Sequence, residues 1–92
     1  MKVTGLSYVA EYLGAFFFIL TIFASAGSPL IVGGALALVI FLVSSISGGH
    51  VNPAVSVAMF MNGTLKPVEL IGYAVAQIAG GISAYYSYTL LK

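Results

Sequence analysis

Charge is what this 92-residue sequence has least of. Only 5% of its residues are charged, the formal net charge is +1, and arginine and cysteine are absent. Nucleic-acid binding needs clustered lysines and arginines that displace counterions, so this composition excludes it. Without cysteine the chain has no disulfide, no thiol chemistry and no cysteine-based metal site.

Hydrophobic residues, in contrast, make up 61% of the chain. A soluble domain carries roughly a quarter charged residues, so we interpret lipid as the solvent of most of this surface and expect an integral, multi-pass membrane protein. Crossing about 30 Å of hydrocarbon takes roughly 20 helical residues. Three stretches have that length, at about residues 6–26, 30–47 and 67–91.

The segment at residues 48–62 does not fit a simple loop. It begins with helix-breaking residues, continues with the apolar run Pro53–Met61, and ends at Asn62-Gly63, a helix stop signal. A helix over that run would be roughly 13 Å long, about half the hydrocarbon thickness. The sequence therefore predicts an all-α membrane protein with three transmembrane helices and one re-entrant half-helix, in a single repeat over residues 1–92.

A re-entrant segment makes a chemical prediction. Non-helical backbone at membrane depth is tolerated only inside protein or beside water. Asn52 stands at the expected N-cap of the half-helix, and Pro53 suits its first turn. The helix N-terminus carries roughly half a positive charge, which repels cations. The Asn52 amide can also donate a hydrogen bond into a lumen.

Residues 47–56, Ser-Gly-Gly-His-Val-Asn-Pro-Ala-Val-Ser, resemble the first Asn-Pro-Ala signature of the aquaporin and aquaglyceroporin family, the major intrinsic proteins. Residues 10–14 and 76–80 resemble motifs of that family's first and third spans. The resemblance covers the first half of a six-span fold built from two inverted halves. It implies a passive channel for water or small uncharged, glycerol-like solutes. Its pore would be lined by the side chains of Asn52, Pro53 and Ala54 and the backbone carbonyls of Gly48, Gly49 and His50.

The resemblance also assigns roles to polar residues inside the spans. It implies that Glu11 and Gln77 brace the re-entrant loop, with Glu11 accepting its N–H groups; a proton relay through Glu11 is the alternative. Val55 stands where the family's second half usually has an arginine, and Val32, by its spacing from the signature, where a bulky aromatic is frequent. We therefore expect an apolar, wider selectivity filter.

No cofactor, metal site or enzymatic activity is expected. His50 has no second histidine or cysteine to share a metal with, and we find no nucleophile–base pair and no phosphate-binding loop.

One half of this fold cannot enclose a pore, because its re-entrant backbone would face lipid. The charges give only a weak orientation bias, because one face of the membrane would hold Lys2 and Lys66 and the other Lys92. We therefore expect insertion in both orientations and an antiparallel homodimer, which the family's tetrameric habit would extend to a tetramer of dimers. Three alternatives stay open. The partner half is encoded elsewhere, the chain is a piece of a six-span protein, or it is a non-conducting or regulatory half that pairs with another aquaporin-like chain.

Overall fold

The structure, a computed structural model, describes all residues from 1 to 92. It contains four helices and no strand, which confirms the predicted all-α class. The helices are α1 (Gly5–Ala24), α2 (Pro29–Ser47), α3 (Pro53–Met61) and α4 (Pro67–Leu91).

Proline and capping residues mark where the helices begin. Pro29, Pro53 and Pro67 each occupy the first turn of a helix, where the missing N–H has no intrahelical partner to lose. At the start of α4, the Lys66 N–H donates to Glu69 Oε1 at 2.8 Å. The breakers visible in the sequence therefore limit α3 to nine residues.

Two of the three helices predicted to span a membrane are both long and apolar enough to do so, namely α1 with 20 residues and α2 with 19. The longest helix, α4, has 25 residues but does not reach the same hydropathy. Its sequence includes Glu69, Gln77 and four tyrosines. That α4 is a third span, and that α3 is re-entrant, remain predictions.

The pairing of α1 with α4 forms the centre of the fold. Helix α1 packs against both α4 and α2, whereas α3 packs against α4 alone. The Tyr8 ring lies over Gly72, and the Tyr12 carbonyl lies against Gly80, because small residues let helices approach closely. The Tyr12 hydroxyl also donates to Ser83 Oγ at 2.7 Å.

This close approach predicts that Gly80→Ala destabilises the fold. A Cβ at Gly80 would meet backbone atoms of Tyr12 and Phe16, and overpacking of this kind costs about 1–3 kcal/mol. Gly33→Ala is the matched control, because a Cβ there meets no atom within 4 Å. Unfolding in mixed detergent micelles, followed by circular dichroism, measures both. Equal stabilities of the two variants would contradict the assigned packing.

Candidate functional site

The chain between α2 and α3 reverses direction through left-handed backbone conformations. The φ angles are +91° at Gly48, +67° at Gly49 and +47° at Val51. A Cβ at Gly49 would also lie 3.3 Å from Ile40 Cγ2, so both the φ angle and the limited space favour glycine there. Val51 is β-branched, and a left-handed φ is strained for such a residue. Surrounding contacts must hold it in place.

The Glu11 carboxylate supplies that hold. It is fully buried on α1 and accepts hydrogen bonds from the backbone N–H groups of His50 at 3.1 Å and Val51 at 2.7 Å. It also accepts from Ser47 Oγ at 2.6 Å and from Gln77 Nε2 at 2.7 Å. Four donors from α2, the loop and α4 therefore converge on one anion. These bonds are the contacts expected of a bracing residue, and the choice between bracing and a proton relay stays a prediction.

A second group of polar side chains fastens α3 to α4. Ser56 Oγ accepts from Gln77 Nε2 at 2.8 Å and lies 2.9 Å from His50 Nδ1. The His50 ring packs on Tyr73, with 5.0 Å between ring centroids, and the Tyr73 hydroxyl donates to the Ser47 carbonyl at 2.6 Å. His50 is thereby an internal packing residue of the loop.

Three fully buried side chains of this network were not predicted as site residues, namely Ser47, Ser56 and Tyr73. For Tyr73 the sequence does contain a signal, namely its spacing of four residues from Gln77. Residues four apart share one face of a helix, so a polar pair at that spacing in an apolar helix indicates a polar interior stripe.

Asn52 lies at the N-terminus of α3 and keeps part of its hydrogen-bonding capacity free. Its Oδ1 accepts from the Ala54 N–H at 2.8 Å, which leaves the two N–H groups of its amide unused and the side chain exposed. No backbone N–H of the chain donates to the carbonyl oxygens of Gly48, Gly49 or His50. Free donors and acceptors therefore occur together where the chain turns back.

A groove of about 730 Å³ opens beside this turn. Asn52 and Gln77 are among the few polar residues of a mostly apolar lining. Gln77 Oε1 is buried and receives no hydrogen bond from the chain, which costs about 1–3 kcal/mol for a neutral acceptor. The lining consists of Phe18, Ile19, Phe23, Val51, Asn52, Pro53, Gln77, Ile78, Gly81, Ile82, Tyr85 and Tyr86.

The other predicted site residues do not line the groove: Gly48, Gly49 and His50 lie outside it, and only Gly48 of these three is exposed. Ala54 and Val55 are exposed on α3, outside the groove lining. Val32 is half-buried on α2, a helix that makes no contact with α3. One chain by itself therefore does not assemble a filter from Val32 and Val55.

Comparison of the sequence with known proteins identifies its family. The sequence profile described as "Major intrinsic protein" matches residues 4–91. A glycerol uptake facilitator protein-like 6 of Lactiplantibacillus plantarum is 40% identical over 85 residues, which is 84% of this chain and 39% of that protein. The chain therefore belongs to the major intrinsic protein family, and it is an integral membrane protein.

Two further relatives show the same similarity. Aquaporin Z of Photorhabdus laumondii is 36% identical over 89 residues, covering 82% of this chain and 38% of that protein. Aquaporin-8 of Notomys alexis is 52% identical over 50 residues, covering 54% and 19%. The chain thus spans about two fifths of the length of the first two relatives. No solved structure matches it significantly.

The Glu11 hydrogen bonds predict that Glu11→Gln destabilises the fold. An amide replaces one acceptor oxygen with a donor, so at least one of the four donors loses its partner. Hydrogen bonds to charged groups are worth about 1.5–3 kcal/mol, and we expect a loss of that size in unfolding free energy. Glu69→Gln is the control, because an amide oxygen can still accept from the Lys66 N–H. Detergent unfolding measures both, and similar losses would contradict a central role for Glu11.

Proposed function

We propose that the chain forms a passive transmembrane channel for water and small uncharged solutes such as glycerol. In this proposal α1, α2 and α4 cross the bilayer, and residues 48–61 dip to its centre and return. One observation carries the proposal: the loop that leads into a half-length helix is held by hydrogen bonds to a buried carboxylate, that of Glu11. The N-terminus of this helix, with the free Asn52 amide, borders an open groove.

The chemistry at this point suits neutral hydrogen-bonding molecules. The Asn52 amide offers donors, the carbonyls of Gly48, Gly49 and His50 offer acceptors, and together they can replace part of a solute's hydration. The positive end of the α3 dipole disfavours cations. Membership of the major intrinsic protein family supports this function, as does similarity to proteins named glycerol facilitator and aquaporin.

Valine at the proposed filter positions favours neutral solutes. Val32 and Val55 bring no charge and no hydrogen-bonding group, so a constriction built from them would select by size and by the cost of dehydration. A small neutral solute loses little hydration free energy there, whereas an ion loses much.

The pore needs a second half to cover α3. Of the α3 side chains only Ser56 is buried, and Val55, Val57, Met59 and Met61 are exposed. Without a cover, the exposed polar groups of Gly48 and Asn52 would face lipid at several kcal/mol each. Inverted repeats around a midplane site are common in membrane transport proteins. We therefore propose that a second copy inserts in the opposite orientation and completes the pore. Four such antiparallel dimers would then form a tetramer of dimers.

A second candidate function uses the same uncovered surface. The relatives are about two and a half times as long as the part that this chain matches. A half-length chain is therefore also suited to pair with a longer, full-length member of the family. In that case the chain would be a non-conducting or regulatory subunit.

Flux through liposomes that contain only this chain distinguishes the two functions. We expect water and glycerol permeability above that of empty liposomes in stopped-flow light scattering. Asn52→Leu should lower it about fivefold, the equivalent of one net hydrogen bond of about 1 kcal/mol. Asn62→Leu is the matched control at the other end of α3, where the side chain is exposed and borders no groove.

No flux from the wild-type chain alone would exclude the homodimeric channel. If flux then changed on adding a full-length relative, the regulatory function would be supported. Equal flux in the two Asn→Leu variants would contradict a pore position for Asn52.

Orientation can be measured separately because the chain has no cysteine of its own. Ala26→Cys lies in the exposed turn after α1 and Thr64→Cys in the exposed turn after α3. With an impermeant maleimide on intact cells we expect partial labelling at both positions, since both orientations coexist. Complete labelling at one position and none at the other would contradict the antiparallel pair.

A further inference from the structure

A second cavity, of about 330 Å³, lies where α1 and α4 begin. Residues 1–3 form one side of it, and the turn from α3 into α4 forms the other. Unlike the groove beside Asn52, this cavity is lined mainly by polar groups. Ligand pockets are typically about 300–1,000 Å³, so its volume suits one small polar group.

Three of the few charged side chains of the protein line this cavity, namely Lys2, Lys66 and Glu69. Glu69 Oε1 accepts from the backbone N–H of Lys66 at 2.8 Å, and no side-chain ammonium group donates to this carboxylate. Two cations and one anion therefore border the same cavity, and each keeps the capacity to bind a group of opposite charge.

The cavity lies at the depth of the lipid headgroups. Helix α1 begins at Gly5 and is long and apolar enough to cross a membrane, so residues 1–3 lie at the membrane surface, where lysines meet lipid phosphates. Leu6 and Val68, in the first turns of α1 and α4, are exposed. Charged groups at headgroup depth, with exposed apolar side chains next to them, are complementary to a phospholipid.

We propose that this cavity binds the headgroup of phosphatidylethanolamine. The lipid phosphate binds the ammonium groups of Lys2 and Lys66, and the lipid ammonium donates to the free oxygen of Glu69. Phosphatidylcholine has no N–H to donate, and phosphatidylglycerol has no cation for Glu69. Among these three lipids, only phosphatidylethanolamine uses all three charged side chains. This inference adds a lipid site to the proposed channel and does not depend on conduction.

Native mass spectrometry of the full chain in detergent micelles tests the site. The dissociation constants of the three lipids, with identical acyl chains, are measured by titration, and we expect phosphatidylethanolamine to bind most tightly. Lys2→Gln and Lys66→Gln should each weaken its binding about fivefold, the contribution of one lysine at a lipid surface. Lys92→Gln is the matched control, because Lys92 lies at the opposite end of α4, and we expect no change there.

Glu69→Gln tests the contact with the lipid ammonium. An amide oxygen can still accept from the Lys66 N–H, so this variant removes the negative charge and keeps the start of α4. We expect the preference for phosphatidylethanolamine over phosphatidylglycerol to fall about threefold, the size of one ion pair at a water-exposed surface. In the two lysine variants, by contrast, both lipids should bind more weakly.

Four results would overturn the inference. Equal affinity for phosphatidylethanolamine and phosphatidylcholine would exclude recognition of the ammonium, and so would an unchanged lipid preference in Glu69→Gln. Equal losses in Lys66→Gln and Lys92→Gln would show that lysines act anywhere on the surface. If glycerophosphoethanolamine, the water-soluble headgroup, bound as tightly as the lipid, the cavity would be a site for a soluble molecule instead. None of these measurements involves flux, so failure of this site leaves the proposed channel untouched.

Discussion

A single carboxylate, that of Glu11 on α1, receives hydrogen bonds from α2, from the loop after it and from α4. Ser47 reaches it from α2, His50 and Val51 from the loop, and Gln77 from α4. A buried anion is costly unless its lone pairs are satisfied, so the charge and the reversed loop stabilise each other. Without the anion the N–H groups of the loop would have no acceptor, and without the loop the anion would have too few donors.

This mutual dependence has a directional result. The N–H groups of His50 and Val51 donate to Glu11, whereas the carbonyls of Gly48, Gly49 and His50 receive no backbone bond. In a planar trans peptide the C=O points opposite to the N–H, so the Gly49 and His50 carbonyls point away from Glu11. In the proposed channel, Glu11 would thus set the direction of these carbonyls from behind the loop. Helix α3 contributes little to holding the loop in this orientation, because it packs only against α4.

The sequence predicted the helical class, the half-length of α3 and the residues at its N-terminus. These follow from local chemistry: Asn52-Pro53 begins a helix, Asn62-Gly63 ends one, and nine residues lie between them. The convergence of Ser47, Ser56 and Tyr73 was not predicted, since it depends on how α1 and α4 are rotated against each other. Nor does a sequence show which atom of Gln77 is left unbonded. The crossing of α4 was predicted from length, whereas its polar residues lower its hydropathy below that of α1 and α2.

The contact between α1 and α4 has a consequence for biosynthesis. These helices form the centre of the fold, yet they are separated along the chain by α2, the loop and α3. When α1 and α2 leave the ribosome, the helix that α1 is shaped to fit has not been made. Until α4 is made, Glu11 lacks one of its four donors, Gln77, and the segment from Ser47 to Ser56 lacks its contacts with Tyr73 and Gln77. The hydrogen-bond network of Glu11 can therefore be completed only after α4 emerges, and slower translation before α4 would prolong the state in which the carboxylate lacks one donor.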